Sequence, residues 1–293
     1  MTEPPRQTPV FRFAPSPNGR LHLGHALSAL LNAKMAAETG GRLLLRIEDI
    51  DLTRCNLELE QAVLADLDWL GVDYERPVRR QSEHFSLYRT ALDQLTSRGL
   101  VYPSFLTRGE VKARVTAFEE SGGRWPRDPD GAPLYPTEER DLSLEDRAQK
   151  LATTERHALR LDMEKALSAV GHPLSFQETG DGERGEISAD PARWGDVVLW
   201  RSDTPASYHL AVTVDDAEQG VSHVVRGLDL FHATSVHRLL QALLGLPQPA
   251  YHHHRLISGP DGRKLSKSAG DTALAALRNQ GRTPSDIRAL VGI

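Results

Sequence analysis

Two short stretches near opposite ends of the 293-residue chain carry side chains suited to handling phosphate. Near the start, His22-Leu23-Gly24-His25 sets two imidazoles around a glycine. A flat ring can press against a backbone that lacks a Cβ. The same run opens a helical pattern, whose first N–H groups and positive dipole end attract anions. Near the other end, Gly262-Arg263-Lys264-Leu265-Ser266-Lys267-Ser268 follows a turn-forming Ser258-Gly259-Pro260-Asp261. Two lysines three apart in a Gly/Ser loop suit a clamp on phosphates. Taken singly, each also reads as a helix start with surface histidines and a solvated basic loop, because short motifs match by chance.

Other residues are suited to a small charged substrate. Arg12 alternates with Phe11 and Phe13, and Arg226 ends the apolar run Val224-Val225. An arginine in such a place is rarely buried alone. It is either a structural ion pair, with Asp215 or Asp229 for Arg226, or a fork for a substrate carboxylate. Glu48, Asp49 and Asp51 follow the apolar run Leu43-Leu44-Leu45-Arg46-Ile47. They read as carboxylates at the end of a parallel strand, facing a ligand crevice, or as a helix-capping cluster.

Together, HLGH near the start and KLSKS near the end resemble the HIGH and KMSKS signatures of class I aminoacyl-tRNA synthetases. Phe13-Ala14-Pro15-Ser16-Pro17-Asn18-Gly19, Arg46-Ile47-Glu48-Asp49-Ile50-Asp51 and Lys264-Leu265-Ser266-Lys267-Ser268 are similar to the bacterial glutamyl-tRNA synthetase set. Glutaminyl enzymes usually carry a glutamate where this chain has Ser16. The chain stops at residue 293, soon after the lysine motif, with no room there for a large helical anticodon-binding region. In that it resembles the truncated paralogues, the glutamyl-queuosine tRNA(Asp) synthetases. The resemblance implies ATP-dependent activation of glutamate to glutamyl-adenylate, with Mg²⁺, and transfer to the queuosine base of tRNA(Asp). By the same resemblance, His22, Gly24 and His25 hold ATP, and Lys264 and Lys267 stabilise the leaving pyrophosphate. Arg12 and Arg226 select the side-chain carboxylate, while Ala14, Ser16, Glu48 and Tyr208 contact the amino acid. The rival readings are a minimal glutamyl-tRNA synthetase core, a small nucleotidyltransferase, and a non-catalytic tRNA-binding relative.

The family's zinc-binding insert usually has Cys-x-Cys-Thr-Arg after Tyr-Pro, then Tyr-x-x-x-Cys. This chain has Ser104-Phe105-Leu106-Thr107-Arg108 and Tyr135-Pro136-Thr137-Glu138-Glu139. With the three thiolate positions filled by Ser104, Leu106 and Glu139, no zinc is expected, since such sites need several soft or imidazole ligands. His252-His253-His254 is not read as a metal site either. Neighbours on a strand point to opposite faces, so at most two could share a ligand.

The positioning elements follow from periodicity and punctuation. Residues 10–14 read as a strand, 22–38 as a helix ended by Gly40-Gly41, and 43–47 as a buried strand. Helices are predicted over 57–70 and 85–98. Residues 103–200 read as an inserted subdomain, with a helix over 109–120, then loop, then extended pieces over 157–162, 174–178 and 194–201. Residues 201–293 return to the core, with strands over 208–216 and 222–227, a helix over 230–244, and short helices over 272–279 and 284–291. The predicted class is α/β: a Rossmann-like doubly wound parallel sheet in two halves, 1–102 and 201–293, around a small α+β insert, with no anticodon-binding domain.

Bulk properties set outer bounds. With 39% hydrophobic residues the chain can bury a substantial core. No apolar run nears the roughly 20 residues that span a membrane. The polar, proline-containing start lacks a secretory signal pattern. One cysteine, Cys55, excludes an internal disulfide and suits the cytosol. A net charge of −5 argues against generic polyanion binding but permits RNA on a local basic face. The expectation is a cytoplasmic monomer with glutamate, ATP and queuosine-containing tRNA(Asp) as its partners.

Overall fold

The computed structural model describes residues 8–154, 156–257 and 273–293. At its centre, β1 (Val10–Phe13) runs parallel to β2 (Arg42–Ile47) on one side and to β9 (His223–Gly227) on the other. The sheet extends through β3 (Glu75–Arg80) beyond β2, and through β10 (Ala250–His254), β6 (Leu174–Glu178) and β7 (Gly185–Ala189) beyond β9. Its order is β3-β2-β1-β9-β10-β6-β7, parallel except for the β6–β7 hairpin. The chain winds outward from β1 in one direction and later returns on its other flank. The boundary between β1 and β9 is therefore the topological switch point, where a crevice opens beyond the strand ends.

Helix α1 (Leu23–Thr39) covers β1 and β2, burying Ala26, Leu27, Ala29, Leu30 and Ala36. It ends at Gly40, whose φ of 63° is the left-handed geometry glycine accepts. α2 (Leu57–Leu70) places Val63, Leu67 and Leu70 in the same core, at helical spacing. α10 (Pro284–Val291) closes this side with Ile287 and Val291. A second core lies on α3 (Phe85–Ser97), α7 (Tyr208–Glu218) and α8 (Thr234–Leu244).

Three expectations need correction. Residues 208–216 form helix α7, not a strand. Ser207 caps it, its hydroxyl accepting the Leu210 N–H at 3.3 Å. Every residue from Leu210 to Asp216 is buried, so the helix shows no polar stripe and its run of apolar and β-branched residues mimics an interior strand. The extended piece at 174–178, read as part of the insert, is β6 of the central sheet, hydrogen-bonded to β10. The insert beyond 120 is more than loop. It contains α5 (Leu144–Thr153) and α6 (Met163–Val170), together with an antiparallel three-stranded sheet of β4 (Val101–Ser104), β5 (Ala158–Leu161) and β8 (Val198–Arg201). The predicted helix at 109–120 is α4 (Arg108–Glu120), with the capping box Thr107/Glu110.

Candidate functional site

Nine of the residues singled out from sequence line one 430 Å³ cavity beyond β1 and β9: Arg12, Ala14, Ser16, His22, Gly24, His25, Glu48, Tyr208 and Arg226. Lys264 and Lys267 lie outside the described residues.

The wall nearest α1 is built by its own cap. His22 is the N-cap, with Nδ1 accepting the Gly24 N–H at 3.1 Å. His25 Nδ1 in turn accepts the His22 N–H at 3.2 Å. The two rings lie 3.9 Å apart, centroid to centroid. With each Nδ1 used as an acceptor, the proton of each neutral ring sits on Nε2. Gly24 eases this close approach: a Cβ there would stand 3.0 Å from His22 Cε1, and the ring would have to give by a few tenths of an ångström. The motif is thus a helix cap and an anion-facing edge at once.

The two arginines turn out to be different. Arg12, on β1, is buried and its Nε donates to Asp216 Oδ1 at 3.0 Å. Asp216 also takes Arg46 Nη1 at 2.7 Å, and Arg46 Nη2 reaches Glu48 Oε1 at 3.2 Å. Beside them, Asp215 accepts from Arg79 Nε at 2.8 Å, Gln81 at 2.7 Å and the Tyr88 hydroxyl at 2.8 Å. Buried arginines and carboxylates therefore balance, and each charge has a partner. Burial pushes the Glu48 carboxyl up, against the pull of Arg46 and Arg12. Arg12 and Arg46 hold Asp216 low despite its burial.

Arg226, on β9, has neutral partners instead. Its Nε donates to His253 Nε2 at 3.0 Å, and Nη2 donates to Thr234 Oγ1 at 2.8 Å and to the Leu230 carbonyl at 3.2 Å. Nη1 faces His237 Nδ1 at 3.2 Å and the Tyr208 hydroxyl at 3.4 Å. Neither Asp215 nor Asp229, the partners considered from sequence, forms an ion pair with it among the described residues. Among the described residues this 95% buried cation has only neutral direct partners, an arrangement that favours an arriving carboxylate.

Sequence reasoning gave no role to Arg46, Asp216, His237, His253 or Cys55. Arg46 carried a signal: an arginine inside an apolar strand needs buried carboxylates. The histidines carried none, because their partners are remote in the chain. Cys55 Sγ lies 3.6 Å from Ser16 Oγ at the pocket edge, and burial pushes its thiol up.

A larger cleft of 1020 Å³ shares Ser16, Glu48 and Tyr208 with this cavity and runs out between the sheet and α4. Ser104, Leu106 and Glu139 converge beside it. Glu139 accepts the Phe105 N–H at 2.8 Å and the Tyr135 hydroxyl, while Tyr135 accepts the Leu106 N–H at 3.2 Å. The Arg160 guanidinium stacks 3.6 Å over the Tyr135 ring, and its Nε donates to Ser104 Oγ at 3.1 Å. No cluster of three or more His, Cys, Asp or Glu able to hold a metal occurs among the described residues.

The family model for the catalytic domain of class I tRNA synthetases (E and Q) matches residues 10–292. A glutamyl-Q tRNA(Asp) synthetase of Rhodobacter capsulatus is 46% identical over 288 residues, covering 97% of this chain and 100% of the relative. One from Nocardia farcinica is 40% identical, covering 96% of this chain and 82% of the relative. Among solved structures, a glutamate tRNA ligase from Elizabethkingia meningosepticum, in complex with its amino acid, superposes with a TM-score of 0.77 at 27% identity. This chain is covered to 97% and spans 60% of that one. The parallel sheet, its switch-point cavity and these likenesses lead to one assignment: the chain belongs to the class I tRNA synthetases of the E and Q group, and within them to the glutamyl-Q tRNA(Asp) synthetases.

Proposed function

We propose that the protein joins glutamate to ATP, giving glutamyl-adenylate and pyrophosphate, and passes the glutamyl group to the queuosine base of tRNA(Asp). The observation that carries the reading is Arg226: a buried cation without a carboxylate partner among the described residues, in the same cavity as the α1 start. An acidic amino acid supplies the missing charge. Arg226 takes its side-chain carboxylate, with Tyr208 beside it, while Arg12, expected from the sequence to share that role, is already paired with Asp216 and lines the cavity wall. Glu48, held by Arg46, faces the amino group, and Ala14 and Ser16 line the approach.

The α-carboxylate of glutamate attacks the α-phosphorus of ATP, and the bond to the bridging oxygen breaks as pyrophosphate leaves. The protein needs no nucleophile for this, only alignment and charge stabilisation. The Nε2–H groups of His22 and His25 and the start of α1 face the triphosphate, which enters with its Mg²⁺ as part of the substrate. Lys264 and Lys267 meet the charge that develops on the pyrophosphate. A hydroxyl of the queuosine cis-diol then attacks the adenylate carbonyl and releases AMP. The anticodon loop can splay its bases, so such a base can enter the cleft singly. The Tyr135–Glu139–Arg160 cluster pins the insert without zinc, and the protein works as a cytoplasmic monomer.

Glutamate-dependent ATP–pyrophosphate exchange in the absence of tRNA tests the first step. Transfer of labelled glutamate to tRNA(Asp) with and without queuosine, and with the 3′-terminal adenosine removed, tests the second. Transfer should require queuosine and survive loss of the 3′ adenosine. Equal transfer to unmodified tRNA, or loss on trimming, favours a minimal glutamyl-tRNA synthetase.

A further inference from the structure

The contacts behind Arg226 form a second layer that the reaction does not use directly. His253 lies on β10 beside Arg226 in register, and its ring is fully buried. Its Nδ1 meets Glu178 Oε2, at the end of β6, at 2.5 Å. Glu178 is itself buried, and its other oxygen accepts three backbone N–H groups: His253 at 2.9 Å, Thr179 at 3.0 Å and Gly180 at 2.6 Å. Burial works against the charge of Glu178, but its hydrogen bonds to the His253 ring and to the backbone N–H groups hold the carboxyl below the ordinary range. Gly180 is part of the device, since a Cβ there would stand 2.2 Å from the His253 carbonyl oxygen.

These bonds dictate a tautomer. An anionic Glu178 can only accept, so His253 carries its proton on Nδ1 and presents a bare Nε2. That lone pair accepts Arg226 Nε–H at 3.0 Å. A similar relay acts on the other edge of the guanidinium. His237 Nδ1 faces Arg226 Nη1 at 3.2 Å, and its Nε2 lies 3.2 Å from His209 Nδ1. The guanidinium is thus gripped by two imidazoles acting as acceptors, and on the His253 side the carboxylate of Glu178 stands one ring away. Arg12, by contrast, touches its carboxylate directly. Direct contact fixes an arginine but cancels its charge. An interposed neutral imidazole fixes it and leaves the charge for a ligand.

We propose that Glu178 and His253 are a positioning pair that orients Arg226 as an unneutralised cation, and that this pair sets the preference for a glutamate over a glutamine side chain. The inference rests on the reading of the cavity as a glutamate site. The main test is Glu178→Gln, close in shape to the native residue. Its amide oxygen can keep the three backbone bonds, which turns the NH₂ toward His253 Nδ1. The ring must then carry its proton on Nε2, donor against donor with Arg226. In exchange assays, KM for glutamate should rise about tenfold or more, with kcat and KM for ATP within about threefold, and the preference for glutamate over glutamine should fall. His253→Leu should behave likewise, whereas His253→Gln, whose amide oxygen can accept from Arg226, should recover much of the loss. A merely structural role would lower the melting temperature without moving the glutamate-to-glutamine ratio. The unaltered protein supplies a measurement independent of variant folding: ¹⁵N shifts of the His253 ring should show Nδ1 protonated and Nε2 bare. An Nε2-protonated ring, or an unchanged ratio in folded Glu178→Gln, overturns the proposal. If the unaltered protein shows no glutamate-dependent exchange, the glutamate reading falls and takes this inference with it.

Discussion

Replacing Arg226 by methionine removes the cation while keeping most of its volume. Five neutral groups lose a donor: His253, His237, Tyr208, Thr234 and the Leu230 carbonyl. Because no carboxylate pairs with Arg226 among the described residues, none is stranded by the change, and the fold is spared the penalty of an orphaned buried charge. The loss should fall on substrate. Truncating one partner of a desolvated charge pair typically costs 2–5 kcal/mol. At about 1.4 kcal/mol per tenfold, kcat/KM for glutamate should drop roughly 30- to 4000-fold. Arg226→Lys should sit between, since it restores a point charge but not the planar fork. The assay is pyrophosphate exchange over a glutamate titration, on protein shown by circular dichroism and thermal melting to be folded. A folded Arg226→Met variant that keeps glutamate kcat/KM within about threefold would refute the claim that this cation recognises the substrate.

Acid should weaken the fold through the histidine layer. Burial brings His253 down from 6.5 to about 4, against the upward pull of Glu178. A histidine lowered on folding binds fewer protons in the native state, so its contribution is present above pH 6.5 and is lost as pH falls toward 4. His253 alone should cost about 2 kcal/mol by pH 5, and Glu178, lowered too, adds its loss further down. A melting temperature that stays flat between pH 7 and 5 would contradict this. Metal analysis should find no stoichiometric zinc, and EDTA should leave the melting temperature unchanged; one zinc per chain would remove the role given to Glu139 and Tyr135. Cys55→Ser should keep exchange within about twofold, because serine preserves a polar contact to Ser16 and the native thiol stays protonated. Lys267→Ala should slow exchange about 10²–10³-fold with little effect on glutamate affinity, as expected for a charge acting only on the separating phosphates; full exchange in that variant would remove the lysine from the reaction.

The placement of the candidate site residues was legible along the chain wherever it depends on local geometry. His22, Gly24 and His25 are three residues of one helix cap, and their spacing alone brings both rings to the helix start. Arg12 and Arg226 were readable as strand-borne cations because isolated charges in apolar runs are conspicuous. The alternation of strands and helices gave the doubly wound sheet, whose switch point is the site. What the chain could not reveal depends on partners far apart in sequence. In the helix at Tyr208–Glu218 seven consecutive residues, Leu210 to Asp216, are buried, which erases the periodicity that distinguishes it from a strand. β6 joins the central sheet through a pairing with β10 more than seventy residues later, so no local pattern separates it from the insert. The contrast between the two arginines is tertiary as well: Asp216 comes to Arg12 from 204 residues away, while His253 and His237 come to Arg226 from other elements. Whether a buried cation is neutralised or left for a substrate is decided by which groups the fold packs around it, since the Coulomb and hydrogen-bond energies that settle it act through space.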